Sequence, residues 1–136
     1  MAGVYTLAEQ DRVFYWVDLS EYDLETAEAM LKSKRYLYVG FMCHQSIEKI
    51  LKGLYVSEFE ETPPYSHNIA KLAENMGIYE KLSEKQKNLF DILGPLNIES
   101  RYPSDKEEIL EFLNHENCEE LIMMTKEVVT WIKKKL

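Results

Sequence analysis

The sequence predicts an all-α protein, an antiparallel up-and-down four-helix bundle with one or two additional short helices. Three observations predict it. Apolar residues recur at spacings of three, four and seven over long stretches. Capping-box patterns open several of those stretches. No strand-period alternation competes with them. Long amphipathic helices joined by short connections bury their stripes most simply as an up-and-down bundle. A chain of 136 residues suits one helical domain over 1–136, able to bury about two thirds of its unfolded surface.

Thr6-x-x-Glu9 reads as the capping box of a first helix from about Leu7 to Ser33, with the stripe Val13, Trp16, Val17, Leu24, Ala27 and Leu31. The apolar phase restarts after Ser33-Lys34. A second helix follows from about Arg35 to Phe59, with the stripe Leu37, Phe41, His44, Ile47, Leu51 and Leu54. Gly40 leaves room on it for a close neighbour. Thr62-Pro63-Pro64 forces a stop, because proline has no N–H and restricts the residue before it. Ser66 is placed to cap a short third helix over His67–Asn75, ended by Gly77. Ser83-x-x-Gln86 opens a fourth segment to about Ile98, interrupted or kinked at Gly94-Pro95. Arg101-Tyr102-Pro103 is a non-helical joint, and Ser104-x-x-Glu107 opens a short helix to about Leu113. Asn114 caps the last helix, whose stripe is Cys118, Leu121, Ile122, Thr125, Val128, Val129 and Ile132. Lys133 to Lys135 close it, where cations suit the negative end of the helix dipole. The first, second, fourth and last helical segments form the four walls.

Composition narrows the function classes. Sixteen basic against twenty-four acidic residues give a net charge of −8, which argues against a broad nucleic-acid footprint and leaves room only for a local basic patch. Cys43 and Cys118 lie far apart, each within an apolar helical pattern, and read as reduced core thiols. No secretory pattern is present and no apolar run approaches the roughly 20 residues of a membrane span, so a soluble cytoplasmic protein is expected. Nine tyrosines and two tryptophans point to a helix face that is sticky beyond the monomer core, most simply covered by a symmetric homodimer.

The residues able to carry chemistry are few. His44 lies on the packing stripe of the second helix and reads as a bonded core histidine ahead of a functional one. His67 follows the proline turn and is either a loop anchor or a functional side chain, while His115 reads as surface. No pair shows metal-ligand spacing and no cofactor is implied. Gln45, Glu48, Lys49 and Lys52 form a polar edge on the second helix. Glu48 and Lys52 have the favourable i,i+4 orientation of a solvated salt bridge, and the same edge suits a patch facing a partner or a nucleotide, with Lys49 and Lys52 on phosphate. Arg101, set beside Tyr102 in Glu99-Ser100-Arg101-Tyr102-Pro103, either braces the joint or binds phosphate or carboxylate through its planar fork.

Trp16 with Asp23-Leu24 and Ala27, then Arg35-Tyr36, Phe41, His44-Gln45 and Glu48-Lys49-x-x-Lys52, followed by Ser66-His67-x-x-x-x-Leu72 and Arg101-Tyr102-Pro103, resembles the HEPN domain (higher eukaryotes and prokaryotes nucleotide-binding) over nearly the whole chain. The resemblance implies a small α-helical bundle, usually a homodimer, often beside a minimal nucleotidyltransferase as a toxin–antitoxin pair. Many members are metal-independent ribonucleases. Their histidine moves the protons of 2′-OH attack, and an arginine that precedes it with four to six residues between them stabilises charge on the phosphate. Here those windows hold Lys106, Glu107 and Glu108 after Arg101, Gly40 to Met42 after Arg35, and Val17 to Leu19 after Arg12. The expected function is therefore binding of a nucleotide, RNA or a nucleotidyltransferase-like partner, with Arg101 on phosphate, Lys49 and Lys52 as supporting charge, Glu48 orienting the cations, and His67 and Tyr102 nearby. The alternatives are a ribonuclease that pairs Arg101 with His67 or His44, and a protein-binding dimerisation module.

Overall fold

Helix boundaries fall where the sequence places its stop and cap signals. A computed structural model describes residues 7–97 and 106–136. They hold six α-helices and no strand: α1 Leu7–Lys32, α2 Tyr36–Phe59, α3 Ile69–Asn75, α4 Glu84–Leu93, α5 Lys106–Phe112 and α6 His115–Lys133. The protein is all-α, as its periodicity requires. Between α1 and α2 the chain turns on Lys34, held at φ 60°, and Arg35 N–H donates to Met30 O at 2.8 Å. At its other end α2 closes on Glu60 in the left-handed region, with its N–H on Val56 O. Pro63-Pro64 then keeps the chain from resuming the helix.

The third helix starts later than the sequence reading has it. Asn68, not Ser66, is the cap: its Oδ1 accepts from Lys71 N–H at 3.0 Å, while Ser66 Oγ accepts from Asn68 N–H. Two capping residues stand two positions apart, and the later one wins because it meets the first free N–H groups of the helix. His67 thus precedes the helix rather than sitting in its first turn. The Ser83–Gln86 capping box forms in full, and Asn114 Oδ1 caps α6 through Asn117 N–H at 2.8 Å. α4 stops at Leu93 and gives way to a single 3₁₀ turn, Gly94–Leu96, where Pro95 lacks the N–H that an α-helix would use. Thr6, Ser104 and the Arg101-Tyr102-Pro103 joint lie outside the described residues.

α2 is the axis of the bundle and touches each of the other five helices. It is buried on more than one side: Val39, Cys43, Ile47, Ile50, Leu51 and Leu54 fill one arc of the helix, and His44, Glu48, Lys52 and Val56 are buried on the next. α6 buries its whole predicted stripe, from Cys118 to Ile132. Burial pushes the Cys43 thiol up to about 12 and that of Cys118 up to about 11, so neither is a nucleophile near neutral pH.

α1 runs antiparallel along α2 on a seam of small residues. Ser20 and Ser46 are both fully buried and exchange hydroxyl bonds, Ser20 Oγ donating to Ser46 O at 2.8 Å and Ser46 Oγ to Ser20 O at 2.9 Å. Gly53 lets Trp16 lie against α2, since a Cβ there would come within 3.2 Å of the Trp16 Cβ. Gly40 does the same for Leu96. The seam carries a prediction. Ser46→Leu should lower stability by about 1–3 kcal/mol through overpacking. Ser20→Ala and Ser46→Ala should have roughly additive costs, because each hydroxyl donates to a main-chain carbonyl that the other substitution leaves in place. Urea unfolding of the four proteins measures both.

Candidate functional site

His44, Glu48 and Lys52 recur every fourth residue on α2 and form one line down the helix. All three are buried, at 0 %, 2 % and 6 % exposure. The chain leaving α2 folds back over this line and brings His67 onto it. Glu48 is the centre. Its Oε1 accepts from His67 Nδ1 at 2.9 Å and its Oε2 from Lys52 Nζ at 3.1 Å. Nδ1 is the donor whether the imidazole is neutral or charged, because a carboxylate can only accept. Lys52 Nζ lies 5.7 Å from the centroid of the Trp16 ring and 6.0 Å from that of Tyr65, so aromatic faces complete the setting of the ammonium.

The edge read from sequence as a solvated salt-bridge face is therefore an interior one for Glu48 and Lys52. The i,i+4 spacing gives contact but not depth, and α2 is covered on this side by α1 and by the connection to α3. Lys49 stands apart from the cluster. It reaches α1, where its Nζ meets Asp23 Oδ2 at 3.2 Å. Burial raises the Asp23 carboxyl above its usual range, and the Lys49 charge opposes that rise.

His44 fixes the main chain of the same connection. Burial holds its imidazole below the ordinary value, against the pull of Glu48. A neutral ring has one N–H, and Nε2 must carry it, because its partner at 3.1 Å is the His67 carbonyl oxygen. Nδ1 then accepts; the Gln45 carboxamide oxygen stands 3.3 Å from it, and exchanging the two ends of that amide supplies the N–H. His67 is thus held twice by α2, through its carbonyl and through its ring.

The His67 side chain keeps about a third of its surface, at 35 % exposure. It lines a groove of about 400 Å³ with Asn68, Ile69, Ala70, Phe90, Gly94 and Asn97. Chemically the arrangement is a histidine oriented by a buried carboxylate whose second oxygen is charge-matched by lysine. Among the described residues no His, Cys, Asp and Glu side chains are grouped to hold a metal ion.

A family profile of the HEPN domain matches residues 13–136. The chain belongs to the HEPN domain family. The fold of this HEPN protein is similar to that of TT1696 from Thermus thermophilus, with a TM-score of 0.75 at 20 % identity over 92 % of this chain and 98 % of that one. It is also similar to ST0689, an archaeal HEPN homologue, with a TM-score of 0.60 at 22 % identity over 90 % and 96 %. At these identities the likeness is one of fold. No curated protein matches the chain.

Of the residues singled out from sequence, the HEPN fold brings Glu48, Lys52 and His67 together, adds His44 beneath them, and turns Lys49 toward Asp23. Arg101 and Tyr102 lie outside the described residues. Sequence reasoning left Tyr65 out of the site and gave Trp16 and Asp23 no role there. The signal for Trp16 and Tyr65 was present in a tryptophan on a glycine-matched seam and a tyrosine next to Pro63-Pro64. No helix among the described residues is long and apolar enough to cross a membrane.

The burial of the cluster has measurable consequences for stability. Glu48→Ala should cost about 3–5 kcal/mol by leaving Lys52 buried without its counter-charge. Glu48→Met with Lys52→Met should recover most of that loss, as read by urea unfolding. A further expectation concerns acid. The unfolded chain binds a proton on His44 more readily than the folded chain, so stability falls as pH drops through the ordinary value of 6.5 toward the depressed one. His44→Gln, which keeps a donor for the His67 carbonyl, should be less stable near neutral pH yet lose less between about pH 7.5 and about pH 5.

Proposed function

We propose that this HEPN protein, one helical domain over 1–136, binds RNA or a nucleotide at the groove beside His67, as a cytoplasmic homodimer. The observation that carries the reading is a one-third-exposed histidine held by a buried carboxylate at the edge of a groove. Packing alone asks for no such clamp. Glu48 and Lys52 act as positioning residues for His67. Arg101 follows the groove residue Asn97 by four positions and is assigned to phosphate, where its planar fork makes two parallel bonds. Tyr102 beside it belongs to the same contact. Lys49, tied to Asp23, supplies supporting charge at longer range. A nucleotidyltransferase-like partner in a toxin–antitoxin-like setting belongs to this reading too. The exposed Phe14 and Tyr22 on α1 support a second chain's docking.

A second reading has its own support. A general base needs an orienting partner, and Glu48 is placed as one for His67. In that reading the protein is a metal-independent ribonuclease with Arg101 and His67 as its displaced pair. His44, fully buried with both ring nitrogens engaged, is left to structure.

Fluorescence-polarisation titrations with labelled single-stranded RNA and with nucleotides separate these readings. His67→Ala and Arg101→Ala should each weaken binding about tenfold or more, the scale of a lost charge-assisted hydrogen bond, with the helical circular dichroism intact. Unchanged binding in both variants would sink the assignment. RNA cleavage in EDTA that disappears in His67→Ala would select the ribonuclease reading instead.

A further inference from the structure

A second cleft opens beside Trp16, between the start of α1 and the connection that follows α2. It has a volume of about 390 Å³ and is lined by Asp11, Arg12, Tyr15, Trp16, Thr62 and Pro63. That is within the range of sites that hold small organic groups, roughly 300–1,000 Å³. The Tyr15 and Trp16 rings stand 5.3 Å apart at 80°, which makes them two walls of a corner. A flat ring stacked on one wall meets the other edge-on, the favoured arrangement for aromatic groups. Pro63 adds a third apolar surface. Arg12 offers a fork of donors and Asp11 two acceptors, the complement that the edge of a heterocycle presents.

We propose that this corner is a stacking slot for one unpaired nucleobase of a single-stranded RNA. The inference rests on the RNA-binding reading of the His67 groove and names the class of ligand. Three further observations support it. Trp16 is a shared wall, since Lys52 of the Glu48 cluster lies against its ring. Tyr65 is 92 % exposed and packs its ring edge-to-face with that of His67 at 5.5 Å. A strand leaving the slot therefore meets a second open aromatic surface before it reaches His67. Finally, a chain of net charge −8 has no broad basic footprint and draws little affinity from phosphate beyond the Arg101 contact. Stacking carries affinity without net charge and is tolerant of base identity. Bases paired in a duplex are already stacked and do not enter such a slot.

Trp16 is one of two tryptophans, so a Trp131→Phe background makes its fluorescence a reporter of the slot. The probes are a short single-stranded RNA, the same sequence as a duplex, and ribose 5-phosphate. Saturable quenching by the single strand alone is expected. Tyr15→Ala should weaken that binding about tenfold, within the range for one lost stack, and Tyr15→Phe should retain it. The slope of log K on log salt should be no steeper than about −1. Polarisation with a labelled strand repeats the comparison in the native-tryptophan protein, should Trp131→Phe disturb α6. Equal quenching by duplex or ribose 5-phosphate, or unchanged affinity in Tyr15→Ala, overturns the slot. If His67→Ala still weakens binding in that case, the groove reading survives alone. If single-stranded RNA does not bind at all, both fall.

Discussion

A carboxylate inside a helical bundle has to find partners for both of its oxygens, and Glu48 imposes that requirement on the rest of this fold. Removing such a charge from water costs several kcal/mol even after relaxation. One oxygen takes the ammonium of Lys52 from the next turn of the same helix, which is a local solution. The other takes its donor from outside α2. It is met by His67, nineteen residues further along, and only because the chain reverses after Phe59 and lies back across the helix. The left-handed Glu60, the two prolines and the Asn68 cap all serve that reversal. Each is a local device, but together they deliver one ring nitrogen to one oxygen.

The consequence is a histidine whose position is set by the most buried helix in the molecule. His44 holds its carbonyl and Glu48 holds its ring, four residues apart on α2. A side chain on a connecting segment ordinarily loses rotamer freedom when it meets a ligand, and that loss weakens binding. Here the freedom is removed in advance, by contacts to a rigid element. Lys52 adds a second effect by extending from the carboxylate toward the rings of Trp16 and Tyr65, so that acid, base and aromatic surfaces form one connected unit. Lys49, one position beyond Glu48, points instead to α1 and joins Asp23. The two lysines, three residues apart, thus belong to different neighbourhoods.

The fold was legible because its signals are local. The Ser83–Gln86 box, the Asn114 cap and the α6 stripe are each contained within a few turns of one helix, and periodicity places such residues on a face without knowledge of the partner. His44 was legible as a core residue for the same reason. The Ser66 cap misled because Asn68 offers the same chemistry two residues later, and sequence alone does not rank them. The Glu48–His67 bond was not legible. It crosses a proline turn whose path is set by tertiary packing, and a favourable i,i+4 Glu–Lys pair looks the same on a solvated face as in an interior. One hint of depth was available. Cys43, Ile47, Ile50, Leu51 and Leu54 line one side of the helix, but Leu37, Phe41, Met42, Tyr55 and Val56 continue apolar character round the other, which is the pattern of a helix buried all round.

That pattern also bears on why the polar line exists. Replacing a buried ion pair by well-packed apolar residues is commonly neutral or stabilising, and α2 is already apolar at most of its buried positions. Leucine or methionine at 48 and 52 would continue that core without the desolvation cost. The stability of the bundle therefore does not account for Glu48 and Lys52. What an apolar pair would not do is aim a histidine: a packed methyl group accepts no N–H and leaves the ring free to rotate out of the groove. The charged line is best understood as the means by which a helix core sets the geometry of an outer segment. For that reason our proposed binding surface is the one beside His67 and Trp16, rather than the Lys49–Asp23 seam or the α6 face.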